Sequence, residues 1–264
     1  MVKGLLTDCG VFESLTSQRG NLSLCPMLQA CLNGFRDRKF SAGVPLTPQE
    51  LARDSAACRS VGADEFHIHP RNAKGLESFE PGDIAAALQA VREVVPGVLV
   101  GISTRVGIVA DAGERRRAFQ RWQVLPDYVS VNLSEDDAPE VIRLMLKRGI
   151  GIEAGLATVV DAERFVALSE STACLRVLIE IEEQESAAAI RMAHDVIAVL
   201  DSAGSRIPRQ LHGYDEFKWL LHGEALRLGL DQRIGLEDGK LLPDRRIAKS
   251  NAELIAAAVK RGVT

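Results

Sequence analysis

His67, Ile68 and His69 form an H-x-H triplet at the end of a short run that begins at Ala63. In an extended strand, side chains two residues apart point to the same side. Both imidazoles therefore project together from one strand end, as the first two ligands of a divalent metal must. A second cluster, Arg233-Ile234-Gly235-Leu236-Glu237-Asp238, ends another strand-like run far along the chain. If the fold joins the two ends, the site holds two histidines, a carboxylate ligand, a second carboxylate and an arginine. Two imidazoles, one carboxylate and an open position make a common catalytic zinc set; manganese and iron accept similar ligands.

Such a site needs a scaffold that brings distant strand ends together. Leu28–Asn33 reads as a strand, and Thr47-Pro48-Gln49-Glu50 opens a helix with a capping threonine, proline at the first position and glutamate at the third. Strand-like Asp64–His69 precedes a helix from Pro81 to Val95, and Val98–Ser103 precedes a helix over 112–122. Tyr128–Asn132 is followed by helix 136–148, Gly149–Ala154 by 161–169, and Leu175–Ile181 by 186–202. Gln210–Gly213 with 215–229, and Gln232–Leu236 with 250–261, complete eight units. That spacing predicts an α/β fold, a single-domain (β/α)8 TIM barrel, which typically needs roughly 250 residues. The competing doubly wound sheet should carry a glycine-rich phosphate loop after its first strand; here that turn reads Asn33-Gly34-Phe35-Arg36. The barrel domain is expected over residues 27–264, with residues 1–26, which hold no sustained period, as an N-terminal extension.

In such barrels chemistry gathers at the C-terminal strand ends, and this chain places polar residues there unit after unit. They are Asn33 and Arg36; His67, His69 and Arg71; Ser103, Thr104 and Arg105; Ser130, Asn132 and Glu135; Glu153; Glu180; His212; and Arg233, Glu237 and Asp238. His194 and His222 fall within helices and read as surface or packing residues. The acidic run Glu180–Glu185 reads as a helix N-terminal face favoured by the helix dipole, with only Glu180 reaching toward the site.

The net charge of −4 gives no reason to expect nucleic acid or an anionic membrane as partner. No apolar stretch approaches the roughly 18–20 residues that span a bilayer, and the N-terminus does not read as a secretory signal. The 5 cysteines are odd in number and scattered, with no C-x-x-C, so a reduced, cytoplasmic protein with buried thiols is expected.

The blocks Ala30-Cys31-Leu32-Asn33-Gly34, His67-Ile68-His69-Pro70-Arg71, Gly101-Ile102-Ser103-Thr104, Ser130-Val131-Asn132 and Gly151-Ile152-Glu153-Ala154-Gly155 together resemble the β-keto acid cleavage enzyme family. Leu211-His212-Gly213, Arg233 through Asp238, and Ser250-Asn251-Ala252-Glu253-Leu254 continue the resemblance in order, from about Met27 to Arg261. It implies a zinc-dependent TIM barrel that converts a β-keto acid and acetyl-CoA into acetoacetate and a new acyl-CoA. It also implies that His67, His69 and Glu237 hold the metal, that Asp238 and Arg233 form the acid/base pair, and that Ser103, Thr104, Ser130, Asn132 and Glu153 line the substrate pocket. Because arginine's pKa lies above about 12, Asp238 is the expected proton acceptor, with Arg233 orienting it.

Some positions depart from the family. Arg36 stands where the type member has a glutamate that reads a substrate amine, which points to a neutral or acidic tail. Arg105 stands where glycine is common, and could meet a carboxylate or a CoA phosphate. Asn72 replaces a frequent acid. Two other readings are an amidohydrolase-type hydrolase, which also uses H-x-H in a barrel, and a barrel that binds metal and keto acid without turnover. The amidohydrolase pattern places H-x-H on the first strand with histidines on strands five and six, where this chain has Glu153 and Glu180. A barrel of this size is also expected to form a homo-oligomer.

Overall fold

The computed structural model describes residues 26–262. Its strands are β1 (Leu28–Cys31), β2 (Glu65–Ile68), β3 (Val100–Ser103), β4 (Tyr128–Asn132), β5 (Gly151–Leu156), β6 (Arg176–Ile181), β7 (Arg209–Gly213) and β8 (Asp231–Ile234). They alternate with α1 (Pro48–Ser60), α2 (Pro81–Val94), α3 (Ala112–Arg121), α4 (Ala138–Lys147), α5 (Val159–Ala167), α6 (Ser186–Ser202), α7 (Lys218–Leu228) and α8 (Asn251–Gly262). Every strand pairs in parallel with its sequence neighbours, and β8 returns to β1 to close the barrel. The eight predicted units are all present. The extension expected over residues 1–26 lies, apart from residue 26, outside the described residues.

Local signals account for several boundaries. The Thr47 hydroxyl accepts from Glu50 N while the Glu50 carboxylate accepts from Thr47 N, the reciprocal cap that the spacing predicts for α1. Thr158 and Asp161 build the same cap, so α5 starts at Val159, ahead of the expected 161. β5 begins at Gly151 rather than Gly149, because Gly149 takes φ +72° to end α4 while Ile150 N donates to Met145 O at 3.0 Å. The helix expected over 215–229 is broken: Asp215–Phe217 forms a 3₁₀ turn before α7 starts at Lys218.

The barrel has two different cores. Outward-facing strand residues such as Ala30, Phe66, Ile102, Val131, Ile152, Ile179 and Leu211 pack with the helices into one apolar shell. The inside of the barrel is polar and closed. Arg176 is fully buried between Glu65 and Glu153, donating to Glu153 Oε2 at 2.7 Å and also to Glu65. Gln29 Nε2 donates to Glu65, Glu153 and the Tyr128 hydroxyl, and that hydroxyl donates to Phe66 O at 2.8 Å. Buried charge is tolerated when it is paired, and Arg176 pairs here with both carboxylates. This ionic layer forms the platform directly below the strand ends.

Candidate active site

His67 lies in β2 and His69 just past its end, and their side chains meet as the two-residue spacing requires. Their Nε2 atoms are 3.2 Å apart, and His69 Nε2 is 3.4 Å from Glu237 Oε1. One ligand atom from each of His67, His69 and Glu237 lies within 4.8 Å of the others, and all three residues are buried. Two features bring Glu237 there. Gly235 packs so closely on β1 that a Cβ would sit 1.7 Å from Cys31 O, which turns the chain out of β8 after Ile234. Gly34, at φ +53°, leaves the space that the Glu237 side chain fills; a Cβ would stand 2.3 Å from Glu237 Cγ.

Asn251, at the start of α8, holds this arrangement from behind. Its amide donates to Leu32 O at 2.8 Å and its oxygen accepts from Leu236 N at 2.7 Å, tying the β1 and β8 loops together. Asn33 does the same for His69, accepting from its backbone N at 2.8 Å and donating to its O at 2.9 Å.

The electrostatics suit a cation. Burial, reinforced by Arg233, lowers the His67 pKa to about 3, so the ring is neutral at ordinary pH. Burial alone would also lower His69, but the Glu237 and Glu77 carboxylates outweigh it and raise the group. Glu237 is held well below the usual carboxylate range, against the upward effect of burial, by Arg233 and both histidines. Glu77 Oε1 lies 2.5 Å from His69 Nδ1. A carboxylate only accepts, so Nδ1 donates to Glu77, and Nε2 is the ring nitrogen that faces His67 and Glu237. His67 Nδ1 and Glu237 Oε2 are buried without a hydrogen-bond partner. Two imidazole nitrogens and a carboxylate oxygen converging in a buried space fit a divalent metal.

Arg233 lines the cavity beside this cluster, and Asp238 lies against it with no exposed surface. Arg233 donates to Glu237 Oε1 at 2.7 Å, and its Nε is 3.6 Å from Asp238 Oδ1. The Cys31 thiol donates to Asp238 Oδ2 at 2.6 Å, and His212 Nδ1 is 3.5 Å from Oδ1. Burial raises Asp238 above its ordinary value. Burial, with Asp238 next to it, raises the Cys31 thiol well above its own. Cys31 is thus a hydrogen-bond donor and no nucleophile. His212 bridges toward Glu180, whose Oε2 is 3.7 Å from its Nε2, and stands apart from the three-residue metal cluster.

The cavity over the strand ends has a volume of about 440 Å³. Of the residues expected there, Arg36, His67, His69, Ser103, Arg105, Ser130, Asn132, Arg233 and Glu237 line it. Thr104 and Glu153 do not. The Thr104 hydroxyl donates to Ser130 O at 2.7 Å, and Glu153 lies one layer down, against Arg176. Strand-end position alone does not distinguish these layers. Glu182 and Gln184 do line the cavity, where the sequence pattern pointed to Glu180 alone; of that acidic run only Glu185 caps α6. Tyr214 and Asp215 also reach the cavity, and Asp215 pairs with Arg36 at 3.2 Å. Glu77 is the main residue the motifs missed. His194 pairs with Glu224 at 2.6 Å, and buried His222 packs on Trp219, both on outer helices as expected. No helix among the described residues is long and apolar enough to cross a membrane.

The chain is similar to known proteins in both sequence and fold. The chain is 22% identical to the 3-keto-5-aminohexanoate cleavage enzyme of Fusobacterium nucleatum over 237 residues, 84% of this chain and 85% of that one. It is 29% identical to the 3-oxoadipate:acetyl-CoA acetyltransferase of Cupriavidus necator over 107 residues, 40% of this chain and 36% of the relative. Among solved structures, the ternary complex of ObcA with a C4-CoA adduct and oxalate superposes with a TM-score of 0.72 at 15% identity; this likeness shows the fold. It covers 84% of this chain, which spans only 64% of the ObcA chain. The family model described as beta-keto acid cleavage enzyme matches residues 27–262. A match over nearly the whole barrel shows the family: the chain belongs to the β-keto acid cleavage enzymes.

Proposed function

We propose that this protein is a C–C bond-cleaving acyltransferase that takes a β-keto acid and acetyl-CoA and releases acetoacetate and a new acyl-CoA. The observation that carries the reading is the meeting of His67, His69 and Glu237 around one point, with Arg233 and Asp238 directly beside it. His67, His69 and Glu237 would hold the metal, with zinc the ion their donor types suit best. Bound there, it would polarise the substrate carbonyl and favour loss of the neighbouring α-proton.

The chain's own groups account for the remaining steps. Ser103, Ser130 and Asn132 offer hydrogen bonds around the substrate carboxylate, the Thr104 hydroxyl holds Ser130 through its backbone O, and Glu153 stands in the ionic layer underneath. Arg233 and Asp238 act as one unit: Asp238 takes up the α-proton, while Arg233, a fixed cation beside it, orients that carboxylate and offsets the charge that develops on the substrate. Removal from water makes the protonated form of that carboxyl accessible. The substrate carbanion attacks the acetyl thioester and expels the CoA thiolate. The thiolate adds to the keto carbon of the original chain, and the carbon–carbon bond breaks to give the new acyl-CoA. The departing acetoacetate carbanion takes back the proton.

Arg36 and Arg105 on the mouth favour a neutral or acidic tail. The Cupriavidus necator relative is named for 3-oxoadipate, a β-keto acid with a second carboxylate, which supports that preference. A reducing cytoplasm suits the free, buried thiols of Cys31, Cys58 and Cys174, and a homo-oligomer is the expected assembly.

Incubation with acetyl-CoA and a panel of β-keto acids, following acetoacetate and acyl-CoA, tests the reading. Zinc uptake with no product from any member would favour the non-catalytic barrel, and hydrolysis without CoA the amidohydrolase. Neither alternative has a structural feature in its favour: β5 and β6 bring Glu153 and Glu180, and no lysine lines the cavity among the described residues.

A further inference from the structure

We propose that Glu77 and Arg105 form a positioning pair for His69, so that a salt bridge at the edge of the cavity sets how tightly the site holds its metal. The inference rests on the metal reading of His67, His69 and Glu237 and adds two residues outside that set.

Glu77 reaches His69 through a folded-back loop. After His69 the chain passes Pro70, and Arg71 forms an antiparallel bridge with Glu77. Asn72 shapes the return: its N donates to Leu76 O at 2.8 Å, and its side-chain oxygen accepts from Lys74 N at 2.9 Å. Ser78 N donates to Pro70 O at 3.0 Å, closing the base of the loop. Arg71 fastens the loop to its neighbour, donating to Gly75 O at 2.8 Å and to Gly34 O and Arg36 O at 2.7 Å. Glu77 is thus carried on a braced turn, with its side chain only 12% exposed.

The two Glu77 oxygens face different partners. Oε1 accepts from His69 Nδ1 at 2.5 Å, and Oε2 accepts from Nη2 of Arg105, whose Nε lies 3.4 Å from Oε1. A carboxylate on the far nitrogen of a ligating imidazole fixes the tautomer and ring orientation and strengthens the ligand, and losing such a partner typically costs about 10–100-fold in metal affinity. His67 has no equivalent, since its Nδ1 has no hydrogen-bond partner. His69 is therefore the anchored ligand of the pair. Arg105 compensates the half-sequestered charge and holds the carboxylate in plane, as a guanidinium fork does. This accounts for an arginine following Ser103 and Thr104: its partner is Glu77, brought from the β2 loop.

Zinc affinity, measured by competition with a chromophoric chelator, and the visible spectrum of the cobalt-substituted protein test the pair without relying on turnover. Glu77→Ala is expected to weaken zinc binding about 10–100-fold and to shift the cobalt bands. Glu77→Gln, which keeps an acceptor for Nδ1 but not the charge, should lose less, and Arg105→Ala should fall in the same direction. Melting of the metal-free proteins controls for folding. A folded Glu77→Ala protein with wild-type affinity and spectrum overturns the proposal. Should that variant fail to fold, wild-type affinity in both Glu77→Gln and Arg105→Ala overturns it equally. A wild-type protein that takes up no metal removes this inference together with the metal reading, whereas normal wild-type uptake with indifferent variants removes this inference alone.

Discussion

The Arg233 guanidinium stands between Asp238 and the substrate cavity: its Nε is 3.6 Å from Asp238 Oδ1, and it lines the cavity while Asp238 has no exposed surface. The proposed acid/base pair is therefore layered, with the guanidinium lining the cavity and the carboxylate buried against it. Asp238→Asn should lower kcat by roughly 10²–10⁴-fold, the usual contribution of acid–base catalysis, while metal content measured by elemental analysis stays at the wild-type level. Loss of the metal in that variant would mean that Asp238 serves the ligands instead.

Metal removal should be reversible and specific. Dialysis against a strong chelator is expected to abolish acetoacetate formation, and one equivalent of zinc per chain to restore it. Glu237→Gln and His67→Ala should each fail to recover, with elemental analysis showing less than one ion per chain. Full metal occupancy in both variants would be incompatible with the assigned ligand set.

The path of the β8 loop depends on Gly235. A methyl group there meets Cys31 O at 1.7 Å, and because backbone cannot swing away as a side chain can, Gly235→Ala should destabilise the fold by about 1–3 kcal/mol. Glu237 moves with that loop, so zinc affinity should fall as well. Denaturant unfolding and metal competition on the same variant would show both effects, and an unchanged denaturation midpoint would contradict the packing argument.

Asp54, on α1, is half-buried beside Asn251, whose amide donates to it at 2.6 Å. Burial raises its pKa from 3.8 to about 6, with Asn251 acting in the opposite direction. A carboxyl whose folded-state pKa is raised stabilises the fold while protonated, below about pH 4, and that contribution is lost as pH rises through about 6. Asp54→Asn should therefore gain roughly 1–3 kcal/mol over wild type at pH 7 and much less at pH 4. Equal gains at both pH values in urea titrations would show that the carboxyl titrates normally.

Arg36 is held by Asp215 at 3.2 Å and lies over the Phe35 and Phe40 rings. Arg36→Glu should raise KM for a β-keto acid with a second carboxylate by about 10–100-fold, the worth of one charge-assisted hydrogen bond, and leave an uncharged analogue closer to wild type. Equal losses on both substrates would assign Arg36 to holding the loop through its bond to Glu237 O.

The eight strand–helix units could be read from the chain because each rests on short-range physics. Alternation places Ala30, Phe66 and Ile102 outward, and the Thr47–Glu50 and Thr158–Asp161 caps close within four residues. The pairing of His67 with His69 was legible for the same reason, since a strand repeats every two residues. Depth was not. Glu153 and Ser130 both occupy strand positions, yet one supports the ionic platform and the other lines the cavity, because the register around the closed barrel sets their height. Nor could any local pattern show that Glu77 returns to His69, that Arg105 meets it from another loop, or that Arg233 covers Asp238. Those relations depend on loop paths held by contacts between residues far apart in sequence, and only the closed tertiary fold supplies them.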